Sequence, residues 1–556
     1  MILNDYEIDS KYATSVAYFS MEFAIEQALK IYSGGLGFLA GSHMRSAYDL
    51  RQNITGVGIL WSYGYYDQSR NEDDSLRAEF IRKNYYFLQD LGVRATVNIH
   101  SKDVHIKAFY LPSDVFGSAP LVLLSTDIPE NDFLSRTITH KLYDANEDTR
   151  ISQEIVLGIG GVKVLESLRQ KIDIYHMNEG HALPLVYELY AKYRDINEVK
   201  KRVVFTTHTP EDAGNEQHNI NLLHKFGFFN GLDLETVRSI TMVHGDMFNL
   251  TVGALRLSKI TNAVSKFHGE VANRMWQNCE GKSEIIYITN AQNRRFWTDK
   301  LMISALDEYE DYALIGRKKH LKHLLFNLVA NQTGKVFDPD VLTIVWARRF
   351  AEYKRPGLLK YDFDRFRTLM ERTDKKVQVI WAGKPYPFDT SAINAFNELL
   401  HISRNFKNMA VLVGYELELS AILKKGADVW LNTPRVSREA SGTSGMTASM
   451  NGAVHFSTDD GWHPEFAKNR INAFTIPTTS NNISIEEQDY LDNKNMMDIL
   501  ENEIIPIYYN HLDQWTQIMK AAMTDVIPAF DSGRMVYEYY TKMYDYKVNA
   551  ETHQAV

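Results

Sequence analysis

The chain alternates short apolar runs with stretches of helical periodicity. In the first half, residues 17–19 read as a strand. Ser33-Gly34-Gly35-Leu36-Gly37 follows, and then a stretch in which Leu39, His43, Ala47 and Leu50 recur at helical spacing. Further strands are predicted at 121–124, 172–175, 203–206 and 285–288, with helical patterns between several of them, for example 154–170. The second half is clearer. Residues 342–346 (LTIVW), 377–381 (VQVIW), 409–413 (MAVLV) and 427–431 (ADVWL) are Val- and Ile-rich runs, the pattern of strands buried on both faces. The intervening 393–404 and 417–425 read as helices, and crossovers of this length connect parallel strands. Residues 299–334 and the stretch from about 498 onward also read as helical. The pattern predicts an α/β protein with a doubly wound parallel sheet in its second half.

At 556 residues the chain exceeds what one hydrophobic core usually spans, so at least two domains are expected. The predicted boundaries are 1–296, 297–497, and C-terminal helices over 498–556 that pack back on the first domain. The formal net charge is −9, with no basic cluster, which argues against a nucleic-acid partner. A single cysteine, Cys279, excludes an intrachain disulfide. Residues 1–10 are polar and acidic, unlike a signal peptide. No apolar run reaches the ~20 residues of a membrane helix. A cytoplasmic protein with no membrane partner is expected. The 31 Tyr and 8 Trp suit sugar faces, although a large core uses aromatics equally well.

Several motifs fall at predicted strand ends, where ligands of such sheets bind. Ser33 to Gly37 lies between a strand and a helix. Its glycines can bring backbone N–H groups up to an anion, or can simply form a tight turn. Arg348, Arg349, Lys354 and Arg355 place four cations in eight residues after the LTIVW strand, a phosphate clamp or else a solvated loop. Glu439-Ala440-Ser441-Gly442-Thr443-Ser444-Gly445-Met446 follows the ADVWL strand. Its carboxylate can accept from sugar hydroxyls or serve as a helix-terminal charge. His176 to His181, Thr206 to Pro210, and Ile288-Thr289-Asn290 supply His, Glu and Asn side chains. Their spacing matches no metal motif, and a hydrogen-bonding wall for a polar ligand is the better reading; no metal is expected.

Together these stretches resemble the α-glucan (glycogen and maltodextrin) phosphorylase family, particularly its shorter members. The matching blocks run in order: Tyr18-Phe19-Ser20-Met21-Glu22-Phe23, residues 32–37, 61–66 (WSYGYY), 176–181, 205–210, 249–276, 288–290, 347–355, 377–384 and 427–462. The resemblance implies a GT-B fold of two facing Rossmann-like domains, with the active site in the cleft between them. Residues 1–296 would serve the acceptor and sugar, and 297–497 the donor phosphate. It implies retaining transfer of a hexosyl unit between a small-molecule sugar donor and a hydroxylated acceptor, and it admits a homodimer. Carried over by position, Arg348, Arg349 and Lys354 bind the donor phosphate, helped by Gly34, Gly35, Thr443, Ser444 and Gly445. His208, Asn290, Glu439, Ala440, Ser441 and Gly442 hold the sugar. The His208 carbonyl faces the anomeric carbon. His208, Arg349, Lys354 and Glu439 form the catalytic set, acting by position and electrostatics.

One departure changes the expectation. Where the family carries a lysine that bears pyridoxal phosphate, this chain has Thr447. A hydroxyl cannot replace the amine, so no covalently held cofactor is expected. Three readings remain. The first is a nucleotide-sugar donor reusing the same cations, with Tyr415 of Gly414-Tyr415-Glu416 a candidate to stack on its base. The second is a phosphorylase with non-covalent pyridoxal phosphate. The third is an inactive glycan-binding homologue, which retention of Arg349, Lys354, Glu439, Asn290 and His208 argues against. On the acceptor side, Lys30, Glu211-Asp212 and Ala291-Gln292-Asn293 also depart from the family pattern, and predict a more polar, cationic or smaller acceptor.

Overall fold

The computed structural model describes residues 3–211, 214–478 and 483–546. They sort into two compact units. The N-terminal unit takes residues up to Tyr65, Phe80–Asn290, and those from Ser532 on. The C-terminal unit takes Tyr66–Glu79 and Ala291–Asp531.

The C-terminal unit is built on a six-stranded, wholly parallel sheet. In spatial order its strands are Met409–Leu412, Val377–Ala382, Leu342–Ala347, Val429–Asn432, Val454–Thr458 and Ala473–Ile476. Numbered along the chain, that order is 3-2-1-4-5-6, a doubly wound arrangement. Strand alternation explains the continuous apolar runs. Leu342, Ile344 and Trp346 enter a core cluster with Phe366, Leu369, Phe396 and Leu399. Val345 and Ala347 point the other way, into a cluster with Leu325, Phe326, Leu419 and Leu423. Helices therefore cover both faces, and neither face of a strand can be polar.

The N-terminal unit holds a nine-stranded sheet in the order Ile285–Tyr287, Ile260–Ala263, Val203–Thr206, Ile174–Asn178, Val16–Phe19, Ile54–Ile59, Leu121–Ser125, Lys102–Leu111 and Gln89–Ile99. The first seven are parallel and the last two antiparallel. The α/β expectation thus holds for both sheets.

Several strands lack the signal used along the sequence. Ile54–Ile59 (ITGVGI) is interrupted by Gly56 and Gly58. A Cβ there would lie 2.3 Å from the Leu121 side chain and 2.9 Å from the Phe23 ring, so close packing requires glycine in a buried strand. Val454–Thr458 (VHFST) is buried throughout yet half polar.

The unit boundaries also differ from the linear division. Residues 66–79 belong to the C-terminal unit because Tyr66 donates to the Pro385 carbonyl (2.7 Å). Gln68 accepts from the Gly414 and Tyr415 amides and donates to the Gly383 carbonyl. The helices from 498 do not all return to the first domain. Trp515, Ile518, Met519 and Met523 of helix Leu512–Phe530 enter the core of the C-terminal unit. Only Ser532–Tyr539 and its continuation pack in the N-terminal unit, where Tyr539 lies against His43 and His176.

Among the described residues, no helix is long and apolar enough to cross a membrane.

Candidate active site

In the C-terminal sheet the strand order reverses between Leu342–Ala347 and Val429–Asn432, and the loops leaving these two strands meet there. The first carries Arg348 to Arg355, the second Thr433 to Gly442. Arg355 ties them together: its guanidinium donates to the Thr433 carbonyl (2.8 Å), the Pro434 carbonyl (3.1 Å) and Asp492 (2.7 Å). Of the four cations read as a clamp, Arg355 is therefore structural.

Glu439 sits at the centre. Lys354 Nζ lies 2.7 Å and Arg348 Nη2 3.2 Å from its Oε2. Burial pushes the Glu439 carboxyl up, but Lys354 and Arg348 outweigh burial and hold it below the usual range. Arg348 is buried, and its Nε and Nη1 have no partner among the described residues; nor do the Ser441 hydroxyl and the Trp462 indole N–H. These donors surround Gly442. A Cβ there would lie 3.3 Å from Glu439 Cγ, 3.6 Å from the Trp462 ring and 3.7 Å from Arg348 Nη2. Gly442 also has φ +81°, so glycine is required twice over. Arg349, next in sequence, is exposed.

Buried donors left unpaired are costly in a protein alone, and they fit an anion or a polyhydroxyl ligand. The residues do not fit a covalently held aldehyde cofactor. Thr447 is fully buried and its hydroxyl donates to the Ser444 carbonyl at 3.0 Å. Asp460, which sequence reasoning missed, accepts from the Arg438 and Glu439 amides (3.1 and 2.9 Å) and fixes the loop. Burial raises its pKa to about 7.

Of the remaining candidates, Tyr415 needs correction. Ser444 Oγ accepts from the Trp430 indole (3.3 Å), and a Cβ on Gly445 would lie 2.5 Å from His455 Nε2. Thr443 caps the following helix position without a side-chain hydrogen bond. Tyr415 is no base-stacking platform. Its ring is buried with Val345, Ile380 and Trp430, and its hydroxyl donates to the Ala347 carbonyl (3.2 Å).

In the N-terminal sheet the order reverses between Val16–Phe19 and Ile174–Asn178. Glu22, just beyond the first, is the anion at the glycine loop. Its carboxylate accepts from the Ser33 amide (2.6 Å), the Ser33 hydroxyl, the Gly34 amide (3.2 Å) and the Tyr143 hydroxyl (2.9 Å). The Gly34 N–H expected on a donor phosphate is therefore engaged by a carboxylate of the protein itself. Open space lies over Gly34 and Gly35.

Beyond the second strand, Glu179 adopts φ +78° and its Oε2 accepts from the His208 amide at 2.8 Å. Burial raises Glu179 to about 7 and lowers His208 to about 3, so the imidazole is neutral. Asn178 Nδ2 donates to Ser20, leaving its Oδ1 to accept from His208 Nε2 (2.7 Å) and fix the tautomer. Asn290 Oδ1, Thr207 Oγ1 and His181 Nδ1 are buried without partners among the described residues. His176 does not join this wall. Its nitrogens bond Tyr544 (2.8 Å) and Thr206 (2.7 Å) in the core. Asn293, read as an acceptor-side change, instead caps helix Arg294–Trp297, accepting from the Phe296 amide. Asp212 lies outside the described residues.

A profile of the carbohydrate phosphorylases matches residues 256–556. The chain is 47% identical to an uncharacterised protein of Methanocaldococcus jannaschii, over 95% of this chain and 99% of that one. It is 31% identical to the maltodextrin phosphorylase of Thermococcus litoralis, over 96% of this chain and 71% of that one. The glycogen phosphorylase of Aquifex aeolicus is 29% identical, over 96% and 87%. The two doubly wound sheets, the cations after the first strand of the second sheet and this run of matches agree: the chain belongs to the carbohydrate phosphorylase family.

Proposed function

We propose that the protein is a retaining hexosyltransferase, probing a phosphate-bearing sugar donor with Arg348, Arg349 and Lys354 and taking that donor as a nucleotide-sugar. The observation that carries this reading is a buried, hydrogen-bonded Thr447 in helix Ser444–Ser449 together with the unpartnered donors of Arg348 in the same unit. Position 447 offers no amine, while the phosphate-binding chemistry remains. In this reading the guanidinium and ammonium groups steady the leaving phosphate. Glu439 and Asn290 accept from sugar hydroxyls, and the His208 carbonyl faces the anomeric carbon. The acceptor is more polar, cationic or smaller than a plain α-glucan, as the changes around Glu211 and Ala291 suggest.

The second reading is phosphorolysis of an α-glucan with non-covalent pyridoxal phosphate. It is favoured by the relatives named phosphorylases and by the burial of Tyr415, which removes the one feature suited to a nucleobase. Arg348 would then hold the cofactor's phosphate, and the cofactor would supply a phosphate for proton transfer. Purified protein scanned for the near-ultraviolet band of bound cofactor, then offered a panel of nucleotide-sugars and acceptors, separates the two. Slow hydrolysis or transfer from one nucleotide-sugar is the expected result. A cofactor band with phosphate-dependent release of a sugar phosphate would replace the first reading by the second, and activity on maltodextrins alone would remove the acceptor proposal.

A further inference from the structure

A second constellation of ionisable groups lies in the N-terminal unit, on elements not used above. Helix Glu147–Ile155 presents Glu147, Arg150 and Glu154, at i, i+3 and i+7, on one face. Against it runs the short strand Gln217–Asn219, paired antiparallel with Met247–Asn249. Glu216 and His218, two residues apart, point to the same side of that strand. Helix and strand thus bring together three carboxylates, one guanidinium and one imidazole.

We propose that Glu154, Glu216 and His218 bind one divalent transition-metal ion of the kind represented by Zn2+. One ligand atom from each of the three lies within 4.8 Å of the others, close enough for all to reach an ion at roughly 2.0–2.2 Å. Glu154 is 1% exposed, and neither carboxylate oxygen has a hydrogen-bond partner among the described residues. A buried carboxylate without any donor is costly, and it faces this cluster. Glu216 is already oriented, its Oε2 held by Arg150 and its Oε1 3.1 Å from His218 Nε2. His218 Nδ1 lies 2.7 Å from Glu147 Oε1. A carboxylate on the far nitrogen of an imidazole is the arrangement that turns the other nitrogen's lone pair toward a metal. Loaded with a divalent cation, the site would set the carboxylates of Glu147, Glu154 and Glu216 against Arg150 and the ion, which would take the place of the proton between His218 Nε2 and Glu216 Oε1. An imidazole among oxygen ligands favours Zn2+ and its transition-metal neighbours over Mg2+ or Ca2+. Such an ion would staple the helix to the segment that leaves strand Val203–Thr206 and carries His208.

The test uses the full-length chain, stripped with a chelator and titrated with Zn2+ alone by calorimetry, then measured by X-ray absorption. One ion per chain is expected, at roughly micromolar affinity or tighter, with a shell containing one imidazole nitrogen. Glu154→Gln should weaken binding more than tenfold. Glu147→Gln, at an exposed position, should weaken it by roughly 10–100-fold through the imidazole alone. Failure to bind Zn2+ at one equivalent, a shell without imidazole, or unchanged affinity in Glu147→Gln would each overturn the proposal.

Discussion

Replacing Lys354 by methionine tests the electrostatic centre of the C-terminal unit. The Lys354–Glu439 pair is 2.7 Å long, and its side chains are only 10% and 11% exposed. Methionine keeps most of the volume, so the change is chiefly the loss of a charge. Removing one partner of a buried pair costs about 3–5 kcal/mol, because the other charge is left uncompensated. Here Arg348 remains 3.2 Å from the same Glu439 oxygen, which places the expected loss at about 2–3 kcal/mol. Glu439→Gln alone should cost at least as much, since it leaves the buried Lys354 and Arg348 side by side without their carboxylate. The double variant should recover part of the Lys354→Met loss, with a coupling above about 1 kcal/mol. The assay is denaturant unfolding followed by tryptophan fluorescence. Trp297, Trp346, Trp381, Trp430, Trp462 and Trp515 all lie in the C-terminal unit, against Trp61 and Trp276 in the other, so the signal reports mainly the unit concerned. Strict additivity, within about 0.5 kcal/mol, would refute the pair as an energetic unit. In turnover, Lys354→Met should raise the donor KM, whereas Glu439→Gln should lower kcat by roughly 100-fold or more while phosphate binding is kept.

Arg348→Lys should weaken binding of inorganic phosphate or donor tenfold or more with little change in unfolding, since lysine cannot offer the two unpartnered N–H groups of the guanidinium; equal affinity would remove Arg348 from the site. Gly461→Ala should destabilise the Glu439 loop by roughly 1–3 kcal/mol, because its Cβ would lie 2.4 Å from the Ser441 carbonyl oxygen at φ +62°; a neutral result in the same fluorescence assay would contradict the packing described. Asp460 is carried by burial from an ordinary 3.8 to about 7, so the folded chain holds a proton that the unfolded chain has lost between those values. Its contribution is fully present below pH 3.8 and is lost as pH rises through 7, a swing of roughly 4 kcal/mol at most. Asp460→Asn should flatten the fall in stability between about pH 4 and 7, and an unchanged slope would show that another group sets it.

The second sheet and the cations at its reversal point were legible because two-sided burial leaves an unbroken apolar run, and such a run in a doubly wound unit fixes where ligands gather. Other assignments failed where tertiary partners decide what a polar side chain does. The amide of Gly34 is available to a ligand only if no carboxylate of the chain reaches it, and Glu22, eleven residues before Ser33, does. Tyr415 follows a glycine at a strand end, as an exposed aromatic would, but its hydroxyl finds the Ala347 carbonyl and the ring is drawn inward. The Glu154, Glu216 and His218 cluster had no linear signature at all, since its ligands come from a helix and a strand about sixty residues apart.

Arg348 and Arg349 show most directly what a local reading misses. Adjacent in the sequence, they share one expectation, but they differ sharply in burial. Arg348 is buried against Glu439 with two donors unpaired, whereas Arg349 is exposed while its charge still acts on Glu439. A guanidinium in a low-dielectric pocket, already desolvated and held by a carboxylate, acts on an incoming anion far more strongly than one screened by water. The residue that discriminates among phosphate ligands should therefore be Arg348, and the exposed Arg349 should contribute chiefly to their capture, with a salt dependence that Arg348 lacks.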